Sequence, residues 1–175
     1  MSHSTFEHLD RRVTLWMAQN GPTLVRISLG IIFLWFGAIK FVPGLSPADE
    51  LATKTIAKLT FGLVEPSVSR PSLAGLESLI GLGLLTGKFL RITLLLLMVQ
   101  MLGTVTPLFL FPDETWRRFP IALTLEGQYI VKNIVVVTAA LVVGAVVRGG
   151  AMIASGPIAQ AAKIAAAAAL SKRTP

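Results

Sequence analysis

Four ionisable side chains sit inside stretches that are otherwise strongly apolar: Lys40, Glu77, Glu126 and Lys132. Around them stand Gln100, Thr104, Tyr129 and Asn133, which add hydroxyl, phenol and carboxamide groups. The stretch "TLEGQYIVKN" (124–133) concentrates several of these directly before the run "IVVVTAALVVGAVV". Ammonium and carboxylate groups in a low-dielectric phase hydrogen-bond strongly and exchange protons. An isolated charge at depth costs several kcal/mol, so such groups face one another or a polar cavity rather than lipid. Two acids and two bases are available, and the sequence leaves their pairing open. Two readings follow: a buried polar clasp that fixes how helices dock, or a polar cavity that binds a small ligand. Trp35, Phe36, Phe41 and Tyr129 would give such a cavity its apolar walls.

Other chemistry is excluded by composition. The chain has no cysteine, so disulfides, CxxC redox chemistry and thiolate metal sites are ruled out. Its two histidines, His3 and His8, lie in the polar N-terminal segment, which removes a His-ligated haem or metal centre from the membrane. The chain is therefore expected to carry no metal, no covalently bound cofactor and no redox centre of its own. The net charge of +7 is dispersed, without a basic stripe interleaved with aromatics, so nucleic acid is not an expected partner.

Lipid is the expected solvent for the elements that position these residues. Of 175 residues 53% are hydrophobic and 14% charged, and the mean hydropathy is +0.71. This balance predicts an all-α integral membrane protein. Four segments approach the roughly 20 residues needed to span a bilayer: about 23–42, 72–87, 89–111 and 123–147. Residues 1–22 read as a polar cytoplasmic segment without a cleaved signal. Positive charges set the orientation. One side carries Arg11, Arg12, Lys88, Arg91, Arg148, Lys163, Lys172 and Arg173 against only Glu7 and Asp10. On the other side Lys54, Lys58, Arg70, Arg117 and Arg118 are cancelled by Asp49, Glu50, Glu65, Asp113 and Glu114. The expectation is a four-transmembrane-helix bundle, N-in and C-in, with Arg26 snorkelling at the inner rim. Ile56, Leu59 and Leu63 in the loop 43–71 are spaced for an outer amphipathic helix, although a partly ordered loop stays open. Residues 148–175 read as an alanine-rich cytoplasmic or interfacial helix.

In this arrangement the polar residues share one level. Lys40 ends the first span, Glu77 lies a turn or so into the second, and Gln100 and Thr104 occupy the outer half of the third. Glu126, Tyr129, Lys132 and Asn133 fill the first turns of the fourth, within an arc of about 120°. The candidate ligand site is therefore Lys40, Glu77, Gln100, Thr104, Glu126, Tyr129, Lys132 and Asn133, with Trp35 as a wall.

The blocks "GIIFLWFGAIKF" (30–41), "GLESLIGLGLLTGKFLR" (75–91), "TVTPLFLFP" (104–112) and "LTLEGQYIVKNIVVVTAAL" (123–141) occur in the order found in DoxX-like membrane proteins. The chain resembles that family over roughly residues 23–147, with the YkgB/RclC-type branch nearest in pattern. The resemblance implies a four-helix bundle in the bacterial inner membrane, linked to quinone-dependent or oxidative-stress redox systems. It places emphasis on Lys40, Glu77, Gly127 and Lys132. Asn133 stands where the family often has aspartate, which weakens a proton-accepting role there. The alanine-rich tail has no counterpart in the pattern and points to a particular complex.

Two functions are expected on this basis. As a quinone-interacting subunit, the chain would use Lys40 or Lys132 to donate to a carbonyl and Glu77 or Glu126 to exchange protons. Tyr129 or Trp35 would flank the ring, and electrons would come from a partner protein or a diffusible reductant. As a non-catalytic accessory or scaffold subunit, it would use the charges to fix its bundle and bind neighbouring membrane proteins. A solute transporter is a third class, but it needs polar groups along the whole span, and the inner half is poor in them.

Overall fold

A computed structural model describes residues 3–147 and Ile164 of the chain, and the described residues are mostly helical. Long apolar runs favour helices because a helix satisfies its own backbone hydrogen bonds. The elements are α1 (His3–Ile39), α2 (Asp49–Leu59), α3 (Pro66–Thr86), α4 (Leu90–Val105), α5 (Pro107–Leu110), α6 (Pro112–Thr115), β1 (Trp116–Arg118), β2 (Ala122–Leu123) and α7 (Leu125–Val146). Among the described residues three stretches are long and apolar enough to cross a membrane: Glu7–Ile39, Leu90–Leu110 and Leu125–Val146. The fourth long helix, α3, is less apolar because its first turns carry Ser67, Ser69, Arg70 and Ser72. It nevertheless packs with the others, since α1 meets α3 and α7, and α4 meets α3 and α7.

Two boundaries differ from the sequence reading. Residues 3–22 are not a separate segment but the first part of α1, which continues through Pro22. Helix α3 begins at Pro66 rather than near 72, with Pro66 in the first turn, where a missing N–H is harmless. Apart from Ile164, the alanine-rich helix expected over 148–175 lies outside the described residues.

Close approach of α1 and α3 depends on two glycines. A Cβ added at Gly37 would fall 2.6 Å from the Ser78 backbone nitrogen, and one at Gly81 would collide with the Leu34 backbone. Small residues at such crossings let helices approach at van der Waals distance, which is the main attraction available in lipid. Beneath this crossing Leu29, Phe33, Ile80, Leu84, Leu97, Met101 and Ala140 form the buried core.

The end of the bundle where α1 stops and α7 starts carries a polar cap. Helix α2 complements its dipole with Asp49 and Glu50 in the first turn and Lys58 in the last. Its buried residues are Asp49, Thr53 and Thr55, whereas Leu59 and Leu63 are exposed, so the apolar stripe expected from the sequence is not the packed face. Arg70 Nε donates to Asp49 Oδ2 at 2.5 Å, tying α2 to α3. Lys54 reaches Glu50 at 2.9 Å and Glu114 at 3.6 Å. Its hydrogen bond holds the Glu50 carboxyl below the usual carboxylate range and raises the Lys54 ammonium above the usual lysine range. Lys58 donates to the Leu110 carbonyl at 2.9 Å and stands 4.7 Å over the Phe111 ring.

The glycine crossing makes a direct prediction. Gly81→Val should destabilise the bundle by about 1–3 kcal/mol through overpacking. Gly75→Ala, whose Cβ would meet nothing within 4 Å, should leave stability unchanged or raise it by up to about 1 kcal/mol. Thermal unfolding of the purified proteins in one detergent compares the two.

Candidate functional site

Lys40 follows the last turn of α1, where its backbone N–H still reaches the Gly37 carbonyl. Its ammonium donates to Glu77 Oε2 at 2.6 Å and to the Phe36 carbonyl at 3.4 Å. The other carboxylate oxygen, Glu77 Oε1, accepts from Gln100 Nε2 at 2.8 Å. One side chain each from α1's end, α3 and α4 thus meets at a single carboxylate. Lys40 is 6% exposed, Glu77 8% and Gln100 8%, so the network is sealed from the surroundings. Both bonds to the carboxylate are charge-assisted, the stronger class of hydrogen bond.

Glu77 lies deeper than the sequence reading put it. At 1.5 Å per residue it is about 16 Å from the start of α3, close to mid-helix. Arg70, on the same helix, sits about 10 Å further toward the cap. The Asp49–Arg70 pair therefore forms a second polar layer above the first.

The remaining candidates are not gathered around Lys40. Thr104 is half-buried and donates to the Met101 carbonyl of its own helix at 2.8 Å. Trp35 is 66% exposed. It lines an open apolar groove of about 490 Å³ with Ile31, Leu34, Ala38, Val42 and Leu85. In the first turns of α7 Gly127 and Ile130 are buried, and further along Ala140 and Val143. Glu126, Tyr129 and Lys132 are exposed, and Asn133 is half-buried. Among the described residues neither Glu126 nor Lys132 makes an ion pair; the Lys132 ammonium stands 5.5 Å over the Tyr129 ring. The arc expected to hold Glu126, Tyr129, Lys132 and Asn133 does not turn toward Lys40: its first three residues are exposed. One polar chamber is replaced by two separate places, a buried network and a surface face.

Two further contacts carry no strong sequence signal. The Asp49–Arg70 pair joins residues from a long loop whose partner no spacing rule reveals. Arg26 does more than snorkel: its guanidinium donates to the Leu84 carbonyl and, at 3.1 Å, to that of Leu85. It thereby caps the C-terminus of α3 next to the left-handed Gly87. At the start of α7, Thr124 accepts from the Gly127 N–H at 3.1 Å and donates to the Glu114 carbonyl at 2.7 Å. A Cβ at Gly127 would collide with the Thr115 carbonyl oxygen, so this glycine is room for the cap rather than for a ligand.

Comparison with known families settles the kinship. The DoxX family profile matches residues 21–111, more than half of the chain. The chain belongs to the DoxX family. The matched segment contains the whole Lys40–Glu77–Gln100 network, while the polar face of α7 lies beyond it. No curated protein and no solved structure matches the chain. With its apolar helices, membership makes this DoxX protein a multi-pass membrane protein in contact with the lipid bilayer. It also associates the protein with membrane oxidoreductase and stress systems.

Removing one member of the buried pair leaves the other charge uncompensated. Lys40→Met should destabilise the protein by about 3–5 kcal/mol. Adding Glu77→Leu to Lys40→Met should restore most of that loss. Unfolding curves of the single and double variants provide the check.

Proposed function

We propose that this DoxX protein is a quinone-linked subunit of an oxidoreductase or oxidative-stress system, of the YkgB/RclC-type branch, in the bacterial inner membrane. In this reading α1, α3, α4 and α7 all span the bilayer, N-in and C-in. Excess positive charge at the predicted inner side supports the orientation, and the packing of α3 against α1 and α4 supports a fourth span. Quinone arrives through the lipid, so it meets first what the bundle shows to the lipid.

One observation carries the choice of site: Lys132 stands over Tyr129 on the outside of α7, unlike the sealed Lys40 network. Lys132 lies about 10 Å inward of Leu125, within reach of a quinone head near the outer interface. Its ammonium donates to a quinone carbonyl, Tyr129 flanks the ring, and Glu126, nearer the interface, exchanges protons. Electrons come from a redox partner protein or a diffusible reductant. The Lys40–Glu77–Gln100 network favours a second reading, an accessory subunit of a larger membrane complex, because its two charges neutralise each other within the bundle.

Quinone content of the purified full-length protein separates the two. Lys132→Ala should weaken quinone binding about tenfold or more, the worth of a hydrogen bond from a charged donor. Its Tm should not change, because the Lys132 ammonium has no buried partner to lose. Equal quinone content in both proteins, or none in either, would remove the quinone reading. A stoichiometric partner retained after mild solubilisation would then support the accessory one.

A further inference from the structure

The sealed network is not complete. Gln100 turns its Nε2 to Glu77, as it must, since only the amide nitrogen donates to a carboxylate. Its Oε1 is then left buried, with no hydrogen-bond partner, on a side chain that is 8% exposed. The hydroxyl of Ser78, next to Glu77 in the chain, is likewise buried without a partner. Lys40 has three N–H donors and directs two of them, to Glu77 and to the Phe36 carbonyl. A buried acceptor left unpaired costs about 1–3 kcal/mol, so native proteins fill such places with a bonded group or an ordered water.

We infer that the Lys40–Glu77–Gln100 network holds a binding place for one hydroxyl group. The hydroxyl accepts from the third N–H of Lys40 and donates its own hydrogen to Gln100 Oε1. Lys40 and Gln100 bind the two oxygens of one carboxylate, and the site requires that one oxygen reach both. The donor requirement selects the ligand. A quinone carbonyl satisfies Lys40 but leaves Gln100 Oε1 unpaired, because it has no hydrogen to give. A water molecule or the hydroxyl of a quinol satisfies both. This site is distinct from the α7 face and stands whether or not Lys132 binds a quinone.

Two measurements on full-length protein in lipid nanodiscs test the inference. The first is a density map of quinone-free protein at a resolution that shows ordered water. An oxygen within hydrogen-bond distance of Gln100 Oε1 is expected if water fills the place. The second is thermal unfolding with decylubiquinol or decylubiquinone, in the Lys132→Ala background so that the α7 face does not contribute. If a quinol fills the place, decylubiquinol at a hundredfold excess over its Kd should raise Tm by roughly 5 to 10 °C. Decylubiquinone should not, and Gln100→Met should abolish the rise. Either result supports the hydroxyl site and tells its two sources apart. The inference is overturned if the map shows no oxygen at Gln100 and decylubiquinol gives no Gln100-dependent shift. It is equally overturned if decylubiquinone stabilises through Gln100 as strongly as decylubiquinol. The map needs no variant, so the test holds even where Gln100→Met does not fold.

Discussion

A carboxylate in the middle of an apolar bundle must be neutralised where it stands, and this requirement organises the molecule. Glu77 meets it with an ammonium from the end of α1 and a carboxamide from α4. The ion pair reaches its 2.6 Å separation beside the crossing where α1 and α3 approach through Gly37 and Gly81. Apolar contacts alone would let lipid-embedded helices slide or rotate, since lipid tails are as apolar as leucine. A polar network with one satisfying geometry fixes both depth and rotation. The buried leucines and Ile80 below it then pack in a single register.

A second polar layer, toward the cap, repeats the logic at lower stakes. Asp49 and Arg70 join α2 to α3, and Lys54 and Lys58 reach across to Glu114 and to the Leu110 carbonyl. Thr124 and Gly127 then set the first turn of α7 against the Thr115 corner. At this end hydrogen bonds and ion pairs thus tie α2 to α3, α5 and α6, and the start of α7 to α6. The opposite rim relies on Arg26, which holds the last carbonyls of α3. The bundle is fastened at both ends and at its middle by polar groups, and filled between them by apolar ones.

Much of this was legible in the sequence. The long apolar helices follow from run length, and counting residues from the span ends brings Lys40, Glu77 and Gln100 to neighbouring levels, although it sets Glu77 too near the outer end because α3 begins at Pro66. Their encounter in space needed the structure, because counting along helices does not say which helices are neighbours. The same limit explains α7: periodicity groups Glu126, Tyr129 and Lys132, but only their exposure in the packed bundle shows that they point outward. The helical character of residues 3–22 was hidden by their polarity, and Pro22 looked like a boundary although α1 runs through it. The Asp49–Arg70 contact was illegible, since it joins a loop helix to α3 by tertiary contact alone.

Two polar places are the consequence, one buried among α1, α3 and α4, one exposed on α7. The pairing of Lys40 with Glu77 is what separates them. Solid-state NMR of the protein in lipid, labelled at lysine Nζ and glutamate Cδ, measures that pairing directly. A through-space correlation between Lys40 Nζ and Glu77 Cδ, with none from Lys132 to Glu77, is the predicted result. A Glu77 carboxylate that correlates with Lys132, or with neither lysine, would contradict the account.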